Sequence, residues 1–182
     1  MPKVFITGEI ENIGVDLLKR HGFEVKTHDQ HDLPHSQIIE IFSRFDAVIT
    51  LVSDKVDEEV IRAASPDFKV ISNYATGFDN IDVLAAKRRG IVVCSTPSVS
   101  AATVAEHTIM LMMACVKRVI EADRYVRSGK YTKWDPKLFV SPQIWGKTIG
   151  IVGLGHIGSY VANIAFGGFK MKILYHDIQR SP

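Results

Sequence analysis

Cysteine is scarce: Cys94 and Cys115 are the only two in 182 residues, and they form neither a Cys-x-x-Cys pair nor a zinc-ligand spacing. A disulfide scaffold, a thioredoxin-type redox pair and a cysteine-based metal site are excluded, and no metal is expected. Cys94 closes a valine-rich strand and Cys115 lies in an apolar helix, so both are expected to be buried, reduced thiols. Long apolar runs are also missing. The longest, Ile109 to Val116, is too short to span a bilayer. The opening Met-Pro-Lys-Val-Phe-Ile enters a strand directly, with no charged-then-apolar leader. Nor is there a charge excess: the net charge is +2 with the basic residues scattered, so no nucleic-acid surface is expected. Arg88–Arg89 and Lys117–Arg118 fall near predicted helix ends, where cations complement the dipole. Repeats and low-complexity segments are absent. These absences lead us to expect a cytoplasmic protein with neither membrane nor nucleic acid as partner.

What is present is an ordinary soluble balance, 46% apolar and 23% charged. The length suits one full domain and part of a second. Strand-like and helix-like segments alternate through the first hundred residues. Strands are expected at Val4–Thr7, Phe23–Thr27, Ala47–Thr50, Lys69–Ser72 and Ile91–Cys94. Between them lie a helix around Val15, Leu17 and Leu18 ending at Gly22, a helix Gln37–Phe42 capped by Ser36, a helix Glu58–Ala64 capped by Asp57, and a helix Ile81–Arg89. Such βα alternation predicts a parallel sheet covered by helices, a flavodoxin-like α/β domain over residues 1–100.

Residues 101–182 read differently. Thr103 and Glu106 fit a capping box, opening a helix expected to run unbroken to Ser128 and to stop at Gly129. It is apolar nearly all round for two turns, which predicts burial between layers, domains or subunits. Lys130 to Gly146 carries Trp134, Phe139 and Trp145 and is read as an ordered connecting arm. Then strand Thr148–Val152 meets Gly153-Leu-Gly155-His-Ile-Gly158, helix Tyr160–Phe166 and strand Lys172–Tyr175, ending at Asp177. Gly153 allows the tight turn, Gly155 lets the backbone approach a pyrophosphate, and Gly158 lets helix and strand pack closely. The helix N-terminus offers free amides to the phosphates. Asp177, at the end of the second strand, can take the ribose hydroxyls and disfavours a 2′-phosphate, so NAD is expected over NADP, with Arg180 near enough to soften that preference. This is the first βαβ unit of a Rossmann-type dinucleotide-binding domain, and as read it is incomplete. An exposed strand edge and an uncovered apolar helix face are expected with it.

Four stretches together carry a resemblance: Asn73–Asp82 (NYATGFDNID), Thr103–Thr108 (TVAEHT), Trp134–Phe139 (WDPKLF) and Gly146–Gly158 (GKTIGIVGLGHIG). In content, order and spacing the sequence resembles the D-isomer-specific 2-hydroxyacid dehydrogenases, most nearly their glyoxylate/hydroxypyruvate reductases. The resemblance implies a substrate domain followed by a coenzyme domain, a cleft between them, and a homodimer built largely through the coenzyme domains. It implies that the amides of Thr76 and Gly77 hold a substrate carboxylate and that Thr76 also touches the cofactor. It places His156 and Ile157 as the variable pair whose amides face the pyrophosphate. Val104 is left either to approach the nicotinamide or to pack in the core. Relatives acting on phosphorylated acids often carry a basic residue before the loop. Here Asn73-Tyr74 stands there, which favours glyoxylate, hydroxypyruvate or another small 2-oxo acid over phosphoglycerate; formate and phosphite stay as less favoured alternatives.

The same resemblance implies a catalytic arginine, glutamate and histidine supplied by later strands, beyond Pro182. No catalytic residue is therefore assigned here, and the chain alone is expected to be inactive, a fragment of a longer enzyme. The histidines offer no substitute. His21, His28, His31 and His35 are expected to be solvated, His107 to make a structural pair with Glu106, His156 to lie in the glycine turn, and His176 to end a strand. The alternative reading is a corepressor-like member of the family, a non-catalytic NAD-binding module in which the nucleotide governs assembly.

Overall fold

A computed structural model describes residues 1–29 and 32–180. The chain divides into two compact units, Met1–Pro97 and Ser98–Pro182.

The first unit is built in the order β1 (Lys3–Ile6), α1 (Asn12–Arg20), β2 (Glu24–Thr27), α2 (His35–Arg44), β3 (Ala47–Thr50), α3 (Glu58–Ala63), β4 (Val70–Asn73), α4 (Val83–Arg88) and β5 (Val92–Cys94). The five strands form one parallel sheet in the order β2-β1-β3-β4-β5. That is the flavodoxin-like winding, with its reversal between β1 and β3. Helices α2, α3 and α4 contribute Ile38, Ile41, Phe42, Val60, Ile61, Ala85 and Ala86 to a core shared with Val48 and Ile71 of the sheet. Within it Phe42 stacks on Phe68 at 4.7 Å between ring centres. Helix α1 buries no residue fully, so cover over the sheet is uneven.

Asp57 caps α3 as expected, accepting from the Val60 amide at 3.2 Å, and Asp82 does the same for α4 from Ala85 at 2.8 Å. Two expectations in this unit need correction. Ser36 is not a cap: α2 opens two residues earlier on Pro34, whose carbonyl accepts from Gln37 and Ile38, because the proline ring presets the helical φ. The helix expected from Ile81 begins at Val83, since Ile81 makes a bridge to Val56 and Asp82 takes the cap.

The second unit contains α5 (Ala101–Val116), α6 (Val119–Arg127), β6 (Thr148–Val152), α7 (His156–Phe169) and β7 (Lys172–His176). Strands β6 and β7 pair in parallel, and α5 packs on α7 through Ala105, Ile109, Val161 and Ala165. Three corrections apply here. The capping box does not form: α5 already begins at Ala101, where two good helix formers precede Thr103, so Thr103 and Glu106 lie inside the helix. The helix does not run unbroken to Ser128. Arg118 adopts a left-handed conformation (φ 54°) that divides α5 from α6. Its guanidinium binds Glu121 at 2.8 Å and lies over the Phe139 ring at 5.1 Å, which offsets a backbone cost of about 1–2 kcal/mol. Finally, α5 is buried only on its α7 side, and Met110 and Leu111 are exposed.

Both cysteines are exposed rather than buried. Cys94 ends the edge strand β5, and Cys115 turns away from the α5 face that meets α7. The arm from Lys130 to Gly146 has no regular structure but is pinned at Phe139, which meets Tyr125 edge-on, and at the Pro142 carbonyl, which accepts from Lys117.

Candidate functional site

Two places gather the candidate residues, one in each unit, both at the C-terminal ends of parallel strands.

In the first unit, the loop after β4 carries Ala75, Thr76 and Gly77. Its carbonyls are tied off. Ala75 accepts from the Thr96 amide at 2.9 Å and from the Thr96 hydroxyl at 3.1 Å, and Gly77 accepts from the Asn73 side chain at 2.8 Å. The amides of Thr76 and Gly77, by contrast, meet no acceptor among the described residues, and Thr76 is exposed. Two unpaired N–H groups in succession at a strand end make a small anion-binding concavity. Beneath the loop lies a set of buried polar side chains that the sequence alone did not single out. Thr50 and Asn73 are fully buried and joined by a 2.9 Å hydrogen bond. Buried Asp54 accepts from the Thr7 hydroxyl and from the Leu51 amide. The signal available was Thr50 and Asn73 closing otherwise apolar strands on the face that builds the core.

In the second unit, the turn between β6 and α7 matches the mechanical reading of its glycines. Gly153 has φ 89°, a conformation that L side chains rarely adopt. A Cβ at Gly158 would lie 2.1 Å from the Gly153 carbonyl oxygen, so only glycine lets helix and strand approach this closely. A Cβ at Gly155 would meet nothing within 4 Å, so the turn is open on the side where a ligand would lie. The amides of Gly155, His156 and Ile157 find no acceptor among the described residues, and they head a 14-residue helix. A cleft of about 460 Å³ beside them is lined by Gly155, His156, Ser159, Tyr160 and Asn163.

Asp177 stands at the end of β7 and is bound to this turn. It accepts from the Leu154 amide through Oδ2 and from the Ile178 amide through Oδ1 at 2.7 Å. The Leu154 bond, joined by the Gln179 and Ile178 amides and the neighbouring His176, holds the carboxyl below the usual carboxylate range, despite some desolvation in the other sense. A carboxylate offers about four acceptor positions, and three amides occupy it here, so it can still receive a hydroxyl. The residues present therefore fit a dinucleotide: three free amides and a helix N-terminus for phosphates, and an ionised acid for a ribose.

The remaining candidates are scattered. Val104 is partly exposed on α5. His107 and Glu106 are both exposed, and no hydrogen bond joins their side chains. His31 lies outside the described residues. His35 is not simply solvated: it is half-buried and meets Asp57 at 3.1 Å. His35, Asp57 and Glu59 bring ligand-type atoms within 4.8 Å of one another. Lys55 lies 3.2 Å from the Asp57 oxygen that His35 also uses, so that carboxylate is already neutralised by an ammonium. Partial burial pushes the Asp57 carboxyl up, but the Val60 amide, Lys55 and His35 outweigh it and hold it below its usual range.

Comparison with known proteins decides the family. The model for D-isomer specific 2-hydroxyacid dehydrogenase, catalytic domain, matches residues 4–169. The chain belongs to the D-isomer-specific 2-hydroxyacid dehydrogenases. Among members of this family, it is 42% identical over 186 residues to a glyoxylate reductase of Thermococcus kodakarensis, covering 100% of this chain and 55% of that protein. The chain thus spans about half the length of the curated relatives it matches. The crystal structure of the TT0316 protein from Thermus thermophilus superposes with a TM-score of 0.91 at 35% identity, covering 99% of this chain and 57% of that one. D-lactate dehydrogenase from Aquifex aeolicus, complexed with NAD and lactic acid, matches with a TM-score of 0.79 at 26% identity, over 98% of this chain and 52% of that one. Among the described residues, no helix is long and apolar enough to cross a membrane.

Proposed function

We propose that this chain supplies the substrate-holding loop and the dinucleotide turn of an NAD-dependent oxidoreductase that reduces a small 2-oxo acid, of the glyoxylate or hydroxypyruvate type, to its D-2-hydroxy acid. The observation that carries this reading is the turn between β6 and α7. Its close approach tolerates only glycine, its Gly155, His156 and Ile157 amides meet no acceptor among the described residues, and an ionised Asp177 is fastened to it. The glyoxylate reductase relatives and the NAD-bound D-lactate dehydrogenase support the choice of reaction and cofactor.

In this reading the nucleotide supplies the hydride. The chain's own residues bind and orient. Gly155, His156 and Ile157 donate to the pyrophosphate, and the dipole of α7 adds positive potential there. Asp177 accepts a ribose hydroxyl, and its fixed negative charge disfavours a 2′-phosphate. Thr76 and Gly77 donate to the substrate carboxylate, and Thr76 also faces the cofactor. Asn73 and Tyr74 bring no cation to the loop, which suits an unphosphorylated acid. No histidine is given the proton-donating role: His21 bonds the Leu17 carbonyl, His35 is committed to Asp57, and His107 and His156 are exposed. The whole protein is proposed to act as a homodimer in the cytoplasm.

The test is NADH oxidation by a protein carrying this sequence over the full length of its relatives, with glyoxylate, hydroxypyruvate and pyruvate offered in turn. Turnover with at least one is expected, glyoxylate or hydroxypyruvate being preferred. No turnover across the panel contradicts the proposal.

A further inference from the structure

The carbonyls that flank the proposed carboxylate cradle are both held, and the two holding devices differ in kind: the Thr96 amide and hydroxyl hold one, a buried side chain the other. Ala75 is held by Thr96, at the loop that follows β5. A trans peptide points its C=O and N–H in opposite directions, so fixing the Ala75 carbonyl aims the Thr76 amide away from Thr96. Gly77 is held from below by Asn73, which is 1% exposed. The Thr76–Gly77 peptide, which carries the second cradle amide, is thereby fixed on both sides.

Asn73 uses its whole hydrogen-bonding capacity. Its Oδ1 accepts from Thr50 at 2.9 Å and from the Asn80 side chain at 3.3 Å, and its Nδ2 donates to the Gly77 carbonyl at 2.8 Å and to Asn80 Oδ1 at 2.9 Å. The orientation of the amide follows from chemistry, because a carbonyl can only accept and the group facing Gly77 must be the NH₂. Asn80 extends the connection to the loop after β3, donating to the carbonyls of Asp54 at 2.9 Å and Leu51 at 3.2 Å. One amide pair, Asn73 buried and Asn80 half-buried, therefore joins the ends of β3 and β4 and grips the cradle loop.

We propose that Asn73, paired with Asn80, is a positioning residue for substrate: it holds the Thr76–Gly77 loop in the conformation that presents two amides to a carboxylate. The inference rests on the reading of that loop as the carboxylate site. Backbone amides bind an anion well only when they are already oriented, because a mobile loop must be ordered at the moment of binding. Asn73 does that ordering during folding.

The experiment is amide-resolved NMR of the ¹⁵N-labelled protein titrated with oxamate, an analogue that carries the carboxylate and the 2-oxo group but is not reduced. In the wild type, the Thr76 and Gly77 amides are expected to shift and to report one dissociation constant. Asn73→Asp keeps the size and the acceptor for Thr50 but presents no N–H to Gly77, and it is expected to weaken binding about fivefold to tenfold. Thr7→Val is the control. It lowers the melting temperature by breaking the bond to Asp54 but leaves the amide pair intact, and its dissociation constant should stay within about twofold of wild type. Should Asn73→Asp lose its dispersed spectrum, Asn80→Ser, at a half-buried position, is read in its place against the same expectation. Unchanged affinity in the asparagine variant, or an equal loss in Thr7→Val, overturns the positioning role. Silent Thr76 and Gly77 amides in the wild type contradict the carboxylate reading itself, and the inference falls with it.

Discussion

Among the described residues of 1–97, fifteen buried side chains from α2, α3, α4, the inner strands and their connections merge into one cluster. Among those of 98–182 the cluster holds five. There Val152 is 89% exposed and Leu174 64% exposed, on strands that among the described residues pair only with each other. The same local pattern, β-branched strands alternating with apolar helices, thus gives a closed core in one unit and an open one in the other. A parallel sheet is stable when helices cover it, and two strands with one packed pair of helices cover little. The sites follow the same division. The loop at Thr76 is braced from beneath by buried polar side chains, whereas the turn at Gly153–Gly158 owes its shape to glycine backbone and one carboxylate.

The sharpest way to break this contrast is to truncate a large aromatic side chain in each unit. Phe42→Ala removes a fully buried, stacked ring and is expected to cost about 3–5 kcal/mol in chemical denaturation. Phe166→Ala, at an exposed ring of α7, should stay within about 0.5 kcal/mol. Equal costs would mean that the second unit buries more than its exposure shows.

A second comparison lies within the turn itself. Gly158→Ala places a methyl group against the Gly153 carbonyl and is expected to cost the second unit about 1–3 kcal/mol, with nucleotide binding lost as well. Gly155→Ala meets open space, so thermal melting should stay nearly unchanged while nucleotide affinity falls, as measured by calorimetric titration. If Gly155→Ala binds normally, the open side of the turn is not where the ligand lies.

The smallest effect concerns pH. Asp57 and Asp177 both have carboxyl pKa values lowered by folding. Their ionised forms therefore stabilise the folded state above the unfolded carboxyl value of about 3.9, and that contribution is lost as pH falls through the folded values. Denaturation midpoints should drop on acidification below about pH 4, and Asp57→Asn should flatten that slope for the first unit alone. An unchanged slope would assign it to other carboxylates.

Much of this was legible in the sequence. The strands of the first unit are short β-branched runs bounded by caps and glycines, so their bounds could be read to within a residue or two. The glycine turn and Asp177 were visible because their spacing is set by the geometry of a βαβ unit. The break at Arg118 was not, since neither glycine nor proline marks it. It depends on Glu121 and on Phe139, some twenty residues further along the chain. The exposure of Cys94 and Cys115 was hidden for a similar reason: a valine-rich strand reads as buried, whereas β5 is an edge strand. The Asn73–Asn80 pair escaped because two asparagines seven residues apart carry no periodic signal. Only the fold brings them together beneath the loop.

The most direct test of the account is calorimetric titration of the protein with NADH and with NADPH. The account predicts NADH binding that depends on Asp177, with NADPH weaker by about tenfold or more because the carboxylate faces the 2′-phosphate. Binding of neither nucleotide, or a preference for NADPH, would contradict it.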